Sequence, residues 1–415
     1  MGFTLVTVTS GTNDPIKIPS TGLPAGQTLI QRSDGVIVNY YTVGSGADPN
    51  RIMGSYSYDL GLTWTQNTTD IPWQEPTGTL FIELNKAVHF VVAGTHVKFL
   101  PCQPFTTLAN LGTGNFPHDF IVQDNNNVHC IYVNTTTSRS ISYTQWDGES
   151  WGNTVLIDSS HSDTWGSSRM CREPNGDLHI IAEDANQTLE RNDSNIYYYN
   201  RISGSWSTKI TVDITAGDSE NPHILFTTNG SVHITYHKTL IGGFSPVQSE
   251  IYYGIKASAD TVFNLTLLTV QTASLYSNNP VISKDTANNL YICYEANTTA
   301  AQSIYNIYML KSSDGGSTWE TAVNVTNSTT TDLSYRLIFT FKEERYYPGY
   351  NILASGVAGM FYNNIDKQVS YFYSDDVAYP FAITTSPQYC SLPINFYSVP
   401  GAAPVDFYSR PDTQH

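Results

Sequence analysis

Short apolar runs recur along this chain, each closed by a turn of Asn, Asp or Gly and resumed at a Val, Leu or Tyr. The pattern reads Asn85-Lys86-Ala87-Val88-His89-Phe90, then Asn126-Asn127-Val128-His129-Cys130-Ile131. It returns as Asn175-Gly176-Asp177-Leu178-His179-Ile180, Asn229-Gly230-Ser231-Val232-His233-Ile234 and Asn288-Asn289-Leu290-Tyr291-Ile292. Asp34-Gly35-Val36-Ile37-Val38 reads as a first copy, and Gly349-Tyr350-Asn351-Ile352 as a degenerate last one. Apolar runs flanking an Asn or Gly turn are hairpin patterning, because those residues take the backbone conformations a tight reversal needs. An apolar strand precedes each turn, as at Phe120-Ile121-Val122 and His223-Ile224-Leu225-Phe226. A Tyr-rich strand follows, as at Ile141-Ser142-Tyr143, Ile196-Tyr197-Tyr198-Tyr199 and Ile251-Tyr252-Tyr253, and a fourth begins near Trp64, Trp151, Trp206 and Trp319.

Units of four short strands at a spacing of roughly 40 to 60 residues predict a repeat architecture that closes on itself and so protects its sheet edges. The fold class predicted is all-β: a β-propeller of seven four-stranded blades, with six as the alternative count. Phe3-Thr4-Leu5-Val6-Thr7-Val8 alternates like a strand and is expected to complete the last blade beside Gln368-Val369-Ser370-Tyr371-Phe372-Tyr373. That gives one domain over residues 1–390, followed by an irregular tail, 391–415, broken by Pro393, Pro400, Pro404 and Pro411.

Composition sharpens this picture. Only 13% of the 415 residues are charged, 40% are hydrophobic, and Tyr (28) and Phe (17) are abundant, which suits pleated, half-buried surfaces. The net charge of −16 excludes a nucleic-acid partner, which needs a basic footprint. No stretch of about 18 apolar residues occurs, so no membrane insertion by a helix is expected, and the first residues carry no basic, apolar export signal. The five cysteines lack CxxC spacing, which speaks against a zinc site or a disulfide scaffold.

Ser57-Tyr58-Asp59-Leu60-Gly61-Leu62-Thr63-Trp64 and Ser312-Ser313-Asp314-Gly315-Gly316-Ser317-Thr318-Trp319 both fit S-x-D-x-G-x-T-W. This motif resembles the Asp box of sialidase-like (BNR-repeat) propellers. The resemblance implies a structural role for Ser57, Asp59, Gly61, Trp64, Ser312, Asp314, Gly316 and Trp319: a self-bonded turn between third and fourth strands, with the Trp packed between neighbouring sheets. Trp146-Asp147-Gly148-Glu149-Ser150-Trp151 and Ser203-Gly204-Ser205-Trp206 look like decayed copies. Lys17-Ile18-Pro19 is similar to the Arg-Ile-Pro that opens the first sialidase blade, but Lys lacks the planar fork that grips a carboxylate. Arg51, Arg169 and Arg336 are candidates for further arginines by position alone.

Propellers bind at one end of the central channel, so the residues leading into each inner strand are the candidate ligand-binding set: His118, Asp119, Arg169, Glu220, Asn221, Asn279, Tyr335 and Arg336. They supply the hydrogen-bonding variety a sugar needs, and a pair of arginines could hold an acidic sugar. The competing reading is that each bonds to a neighbouring blade. His89, His129, His179 and His233 occupy one repeated position in different blades, which favours a structural role over a metal or catalytic set. Glu183, Asp184, Glu190 and Asp193 read as a solvated acidic loop; without EF-hand spacing, calcium is not indicated and no cofactor is expected.

The favoured functional reading is a non-catalytic propeller that recognises glycans, serving as a fibre, decoration protein or adhesin. Its setting would be extracellular or on a virion surface. Its partners would be a carbohydrate or other virion or surface proteins, and a homo-oligomer is compatible. Two alternatives stand beside it: a carbohydrate-active enzyme (sialidase-like hydrolase or polysaccharide lyase), and a structural assembly scaffold.

Overall fold

The computed structural model describes residues 3–7, 16–17, 29–31, 37–43, 51–57, 62–72, 80–84, 87–92, 95–99, 106–111, 115–124, 126–134, 140–159, 164–185, 194–215, 217–242, 245–270, 275–285, 287–297, 305–326, 335–340, 358–363 and 368–374. These residues form strands, turns and no helix. Strand β1 (Phe3–Thr7) belongs to the sheet at the far end of the chain. Sheet 1 pairs β2 (Ile16–Lys17) and β3 (Leu29–Gln31) with β4 (Ile37–Val43), followed by β5 (Arg51–Ser57) and β6 (Thr65–Pro72). Sheet 2 comprises β7 (Leu80–Leu84), β8 (Ala87–Val92), β9 (Thr95–Phe99) and β10 (Thr106–Asn110). Sheet 3 comprises β11 (Asn115–Asp124), β12 (Asn127–Asn134), β13 (Ser140–Trp146) and β14 (Val155–Asp158). In sheet 4, β15 (Thr164–Arg172) and β16 (Leu178–Ala185) lead to β17 (Asn195–Ile202), which pairs with both β18 (Ser205–Trp206) and β19 (Ile210–Asp213). Sheet 5 comprises β20 (Asp218–Phe226), β21 (Val232–Gly242), β22 (Ser245–Lys256) and β23 (Asn264–Leu267). Sheet 6 comprises β24 (Ser277–Lys284), β25 (Leu290–Asn297), β26 (Tyr305–Ser312) and β27 (Val323–Asn324). Sheet 7 comprises β28 (Tyr335–Thr340), β29 (Ala358–Asn363), β30 (Gln368–Ser374) and then β1, so the two ends of the strand sequence share a sheet.

Pairing is antiparallel throughout these sheets, and the first strands β3, β7, β11, β15, β20, β24 and β28 each lie against the next. Such a succession of meandering sheets, first strand beside first strand, is consistent with a propeller. The core lies between the sheets. On β16, Leu178, Ile180 and Ala182 pack with Ile121, Ile131 and Val133 of sheet 3. The alternate residue Ile181 packs with Ile224, Ile234 and Tyr236 of sheet 5. Successive strand side chains point to opposite faces, and here both faces are covered, so the strands read as nearly continuous apolar runs. Burying each such side chain contributes about 1.5–3 kcal/mol.

A second repeated device crosses the sheet boundaries. Nδ1 of His129, His179 and His233 lies 2.7, 2.5 and 2.6 Å from the hydroxyl of Tyr143, Tyr198 and Tyr253 on the adjacent strand. An aromatic from the next sheet then meets each tyrosine edge-on. Trp206 meets Tyr143 at 5.3 Å, Phe263 meets Tyr198 at 5.2 Å and Trp319 meets Tyr253 at 5.1 Å between ring centroids. T-shaped contacts of this kind add about 0.5–1.5 kcal/mol to the burial they accompany. His89 departs from the pattern and faces His96 instead, 3.0 Å away, with Trp151 tilted against His96. The repeated histidines therefore have local partners, as their repeated position suggested.

The turn at 312–319 is self-bonded. Asp314 accepts from Ser312 Oγ, Thr318 N and Thr318 Oγ1 at 2.8, 2.9 and 2.6 Å, and Gly316 N donates to Ser312 Oγ at 2.8 Å. These bonds, that from the Thr318 hydroxyl foremost, hold the Asp314 carboxyl down at about 2. Gly316 sits at φ +91°, and a Cβ there would fall 1.9 Å from the Tyr253 hydroxyl oxygen. Gly316→Ala is therefore expected to cost about 1–3 kcal/mol through backbone strain and displacement of Tyr253, read as a lowered urea midpoint with an unchanged slope. In the other fully written box Ser57 is buried at the end of β5, whereas residues 58–61, including Asp59 and Gly61, lie outside the described residues. The copy at 146–151 keeps its own aspartate: Asp147 accepts from Glu149 N and Ser150 N. The copy at 203–206 borrows one, since Ser203 N donates to Asp177 across the sheet.

Candidate functional site

The candidate residues lie inside the first strands of their sheets, at one recurring irregularity. Register shifts between Pro117 and Asp119, Trp165 and Ser168, Glu220 and His223, Asn278 and Val281, and Leu337 and Phe339. A bulge re-aims side chains and bends its strand, and bulges collect at rims and sites. All of these shifts fall in the first half of strands that lie side by side, so the bulged segments are neighbours. The sequence expectation placed these residues before the strands; the structure moves them into the strands, since pairing with the second strand persists on both sides of each bulge.

The local chemistry explains two of the bulges. Asn221 and Asn279 have φ of +50° and +51°, and each precedes a proline, Pro222 or Pro280. Asparagine tolerates the left-handed region better than most residues, and proline lacks the N–H that a bulge leaves unpaired. In the bulge of β15 the requirement is space: a Cβ on Gly166 would lie 2.3 Å from Glu183 Oε1.

A hydrogen-bonded chain joins the bulges of sheets 4, 5 and 6. Glu183 Oε2 accepts from Ser167 N at 3.2 Å and from Asn221 N at 3.0 Å. Asn221 Nδ2 donates to Asn279 Oδ1 at 2.9 Å, and Asn279 Nδ2 to Glu295 Oε2 at 3.1 Å. Beside this chain, His237 Nε2 lies 3.2 Å from Glu220 Oε2; the imidazole is buried, while the Glu220 side chain is 39% exposed. Burial, and next the nearby Glu220 charge, push the Glu183 carboxyl up to about 8, against the backbone bonds it accepts. Glu183 and Asp184 are thus buried at the end of β16, which corrects their reading as a solvated acidic loop.

Other candidates turn inward. Asp119 is fully buried and braces two sheets, accepting from Phe120 N at 3.0 Å and from Met170 N of sheet 4 at 2.7 Å. His118 is buried beside it, and burial, reinforced by the Arg169 charge, lowers its imidazole to about 3. Arg169 is part-buried, with Nη1 donating to the carbonyls of His118 and Ser168 at 3.2 and 3.0 Å. Burial draws its guanidinium down to about 10, so it stays charged at neutral pH. The geometry makes Asp119 and Arg169 fasteners between β11 and β15. Tyr335 and Arg336 sit beside the shift in β28, but their side chains lie outside the described residues, as do those of Lys17 and Arg51.

The arc that faces outward therefore consists of Glu220, Asn221 and Asn279, supported by His237, Glu183 and Glu295. The last three were missed as site residues. Their signal was positional: His237 and Glu295 pair with Glu220 and Asn278 beside the bulges, and Glu183 lies opposite the bulge of β15, between the partners of Trp165 and Ser168, a relation only strand register exposes.

No protein-family model matches the chain, and no curated protein does. Solved structures do. A protein of unknown function from Dyadobacter fermentans DSM 18053 aligns over 90% of this chain and 98% of its own, with a TM-score of 0.51 and 13% identity. The polysaccharide lyase Uly1 aligns over 89% of this chain and 98% of its own, with a TM-score of 0.57 and 8% identity. The likeness is one of fold. An α-L-arabinanase from Penicillium chrysogenum, in complex with arabinobiose, has a TM-score of 0.47 at 12% identity over 90% of this chain and 99% of its own.

Proposed function

We propose that this chain is a glycan-recognising propeller of seven blades whose ligand sits at the bulged end of the first strands. The observation that carries this is the bonded arc Glu183–Asn221–Asn279–Glu295 with the Glu220–His237 pair beside it. It fixes several amide and carboxylate groups on rigid strands at one end of a ring, which is how a polyhydroxylated ligand is oriented. A fold shared with a polysaccharide lyase supports the same ligand chemistry. An extracellular or virion-surface setting suits a chain of low charge density rich in aromatics, and the turns at 57–64 and 312–319 suit a sialidase-like lineage.

A glycan array followed by calorimetric titration tests the reading. Asn221→Gly keeps the left-handed backbone conformation while removing the amide. It is expected to weaken glycan binding about tenfold, the effect of losing one or two hydrogen bonds. Unchanged affinity in this variant, or no glycan bound by the parent chain, refutes the site.

One observation favours a second reading as a carbohydrate-active enzyme. Glu183, held protonated up to about 8, lies near the exposed Glu220 with its histidine, so an acid and a base stand in one arc. Release of reducing ends or unsaturated products from polysaccharides, abolished by Glu220→Gln, would establish turnover and displace the non-catalytic role.

A further inference from the structure

One position of the hairpin repeat changes its chemistry in sheets 4, 5 and 6. It lies five places beyond the Val or Leu that follows each turn, and register sets it opposite an isoleucine of the third strand every time. The pairs are Val133 with Ile141, Glu183 with Ile196, His237 with Ile251 and Glu295 with Ile307. Val133 is buried in the core that sheet 3 shares with sheet 4. An apolar side chain therefore satisfies the fold here, and three neighbouring sheets carry a polar one instead.

Glu183 is the costliest of these exchanges, because it buries a carboxyl where the repeat accepts a valine. A second departure makes room for it. On β15, a Cβ at Gly166 would lie 2.3 Å from Glu183 Oε1 and 2.4 Å from its Cδ. Gly166 is not in the left-handed region, so this glycine serves the carboxyl and not a turn. The carboxyl in turn holds the bulges. Its Oε2 accepts from Ser167 N in its own sheet and from Asn221 N in the next. The second bond pins the residue whose amide reaches Asn279, and Asn279 reaches Glu295. Moving the Glu183 carboxyl thus displaces side chains in two further sheets.

We infer that Glu183 is a positioning residue: it orients Asn221 and, through Asn221, Asn279 for the glycan, and Gly166 supplies the space it needs. The inference rests on the glycan-binding reading above.

The test titrates the full chain with neutral oligosaccharides, chitosan oligomers and uronate-containing oligosaccharides, and carries the tightest binder into the variants. Glu183→Val, the side chain of sheet 3, is expected to weaken that binding about tenfold. Glu183→Gln, whose amide oxygen can accept from both backbone N–H groups, should restore it to within about threefold of the parent. Gly166→Ala leaves the arc's own residues unaltered, yet should weaken binding about tenfold by pushing the carboxyl aside. Added to Glu183→Val it should cost less than about twofold more, because the shorter side chain leaves nothing for the new Cβ to displace. Urea midpoints establish which variants are folded, and if Glu183→Val is not, Gly166→Ala decides alone. A purely structural Glu183 would lower the midpoints and leave the affinity of the folded variants unchanged. Parent affinity in folded Glu183→Val or Gly166→Ala, or strictly additive losses in the double variant, overturns the inference and leaves glycan recognition standing. Failure of the parent chain to bind any class instead removes the glycan-binding reading, and the inference with it.

Discussion

Asp213→Ala is expected to cost about 3–5 kcal/mol of folding stability, among the largest effects of any single substitution in this chain. Asp213 ends β19 in sheet 4, and its carboxylate is the meeting point of sheets 4 and 5. Lys238 Nζ lies 3.1 and 2.9 Å from its two oxygens, Tyr236 donates at 2.8 Å and Ser219 at 3.1 Å. Thr215 closes the corner through its hydroxyl and backbone N–H at 2.7 and 2.9 Å, and its hydroxyl also meets Lys238 Nζ. Lys238 and Asp213 are each 3% exposed. Burial opposes the Asp213 charge, yet hydrogen bonds from Thr215, Lys238 and Tyr236 hold its carboxyl below the usual range. Removing the aspartate strands a buried ammonium ion with too few acceptors, and that penalty exceeds the net value of the pair itself. The double variant Asp213→Leu with Lys238→Met should therefore cost less than the sum of the single changes, because it leaves neither charge alone. Urea unfolding of the three variants measures this directly; strictly additive costs would mean that the pair is not coupled.

Asp213 and Lys238 also illustrate what could be read beforehand and what could not. The turn–Val/Leu–His repeat was legible because the copies at His129, His179 and His233 repeat one hydrogen bond, His to Tyr, within one hairpin. The link from turn aromatic to preceding sheet was half legible. Trp206 and Trp319 follow recognisable turns, but Phe263 performs the same packing in a sheet whose turn carries no such motif. The inner-strand candidates all fall at or beside the bulges of the first strands, but which of them turn inward was not legible. Whether Asp119 faces a ligand or Met170 N depends on a one-residue register shift, and adjacent sequence positions cannot reveal it. Glu183 was read as loop because acidic residues are seldom buried; only the glycine at 166 and the backbone amides of Ser167 and Asn221 make that burial tolerable.

Acid is expected to unfold this protein cooperatively as pH falls from about 6.5 toward about 4, with histidine and not carboxylate titration as the main cause. Burial is the foremost reason that His89 and His118 are lowered to about 3, and His96, His129 and His233 to about 4. His179 shifts in the same direction for the same reason. The folded values lie below the unfolded value of 6.5, so between them the unfolded chain binds more protons. Stability from these groups is thus complete above about 6.5 and is lost as pH falls toward their folded values. A buried histidine displaced from 6.5 to about 4 is worth on the order of 3 kcal/mol, and several together rival the whole stability of an ordinary domain. Glu183 works in the opposite sense: its folded value, about 8, exceeds that of the unfolded chain, so its contribution falls as pH rises. One carboxyl is outnumbered by the histidines, so the net slope of stability against pH is positive across the acid range. Urea unfolding between pH 4.5 and 6.5, followed by Trp fluorescence, should yield an uptake of several protons on unfolding. His233→Gln can still bond the Tyr253 hydroxyl, so it should lower that uptake by about one proton while reducing stability at pH 7 only modestly. A wild-type uptake below about one proton would contradict the assignment. An unchanged uptake in the variant would shift the acid response away from the His–Tyr pairs and onto the carboxylates.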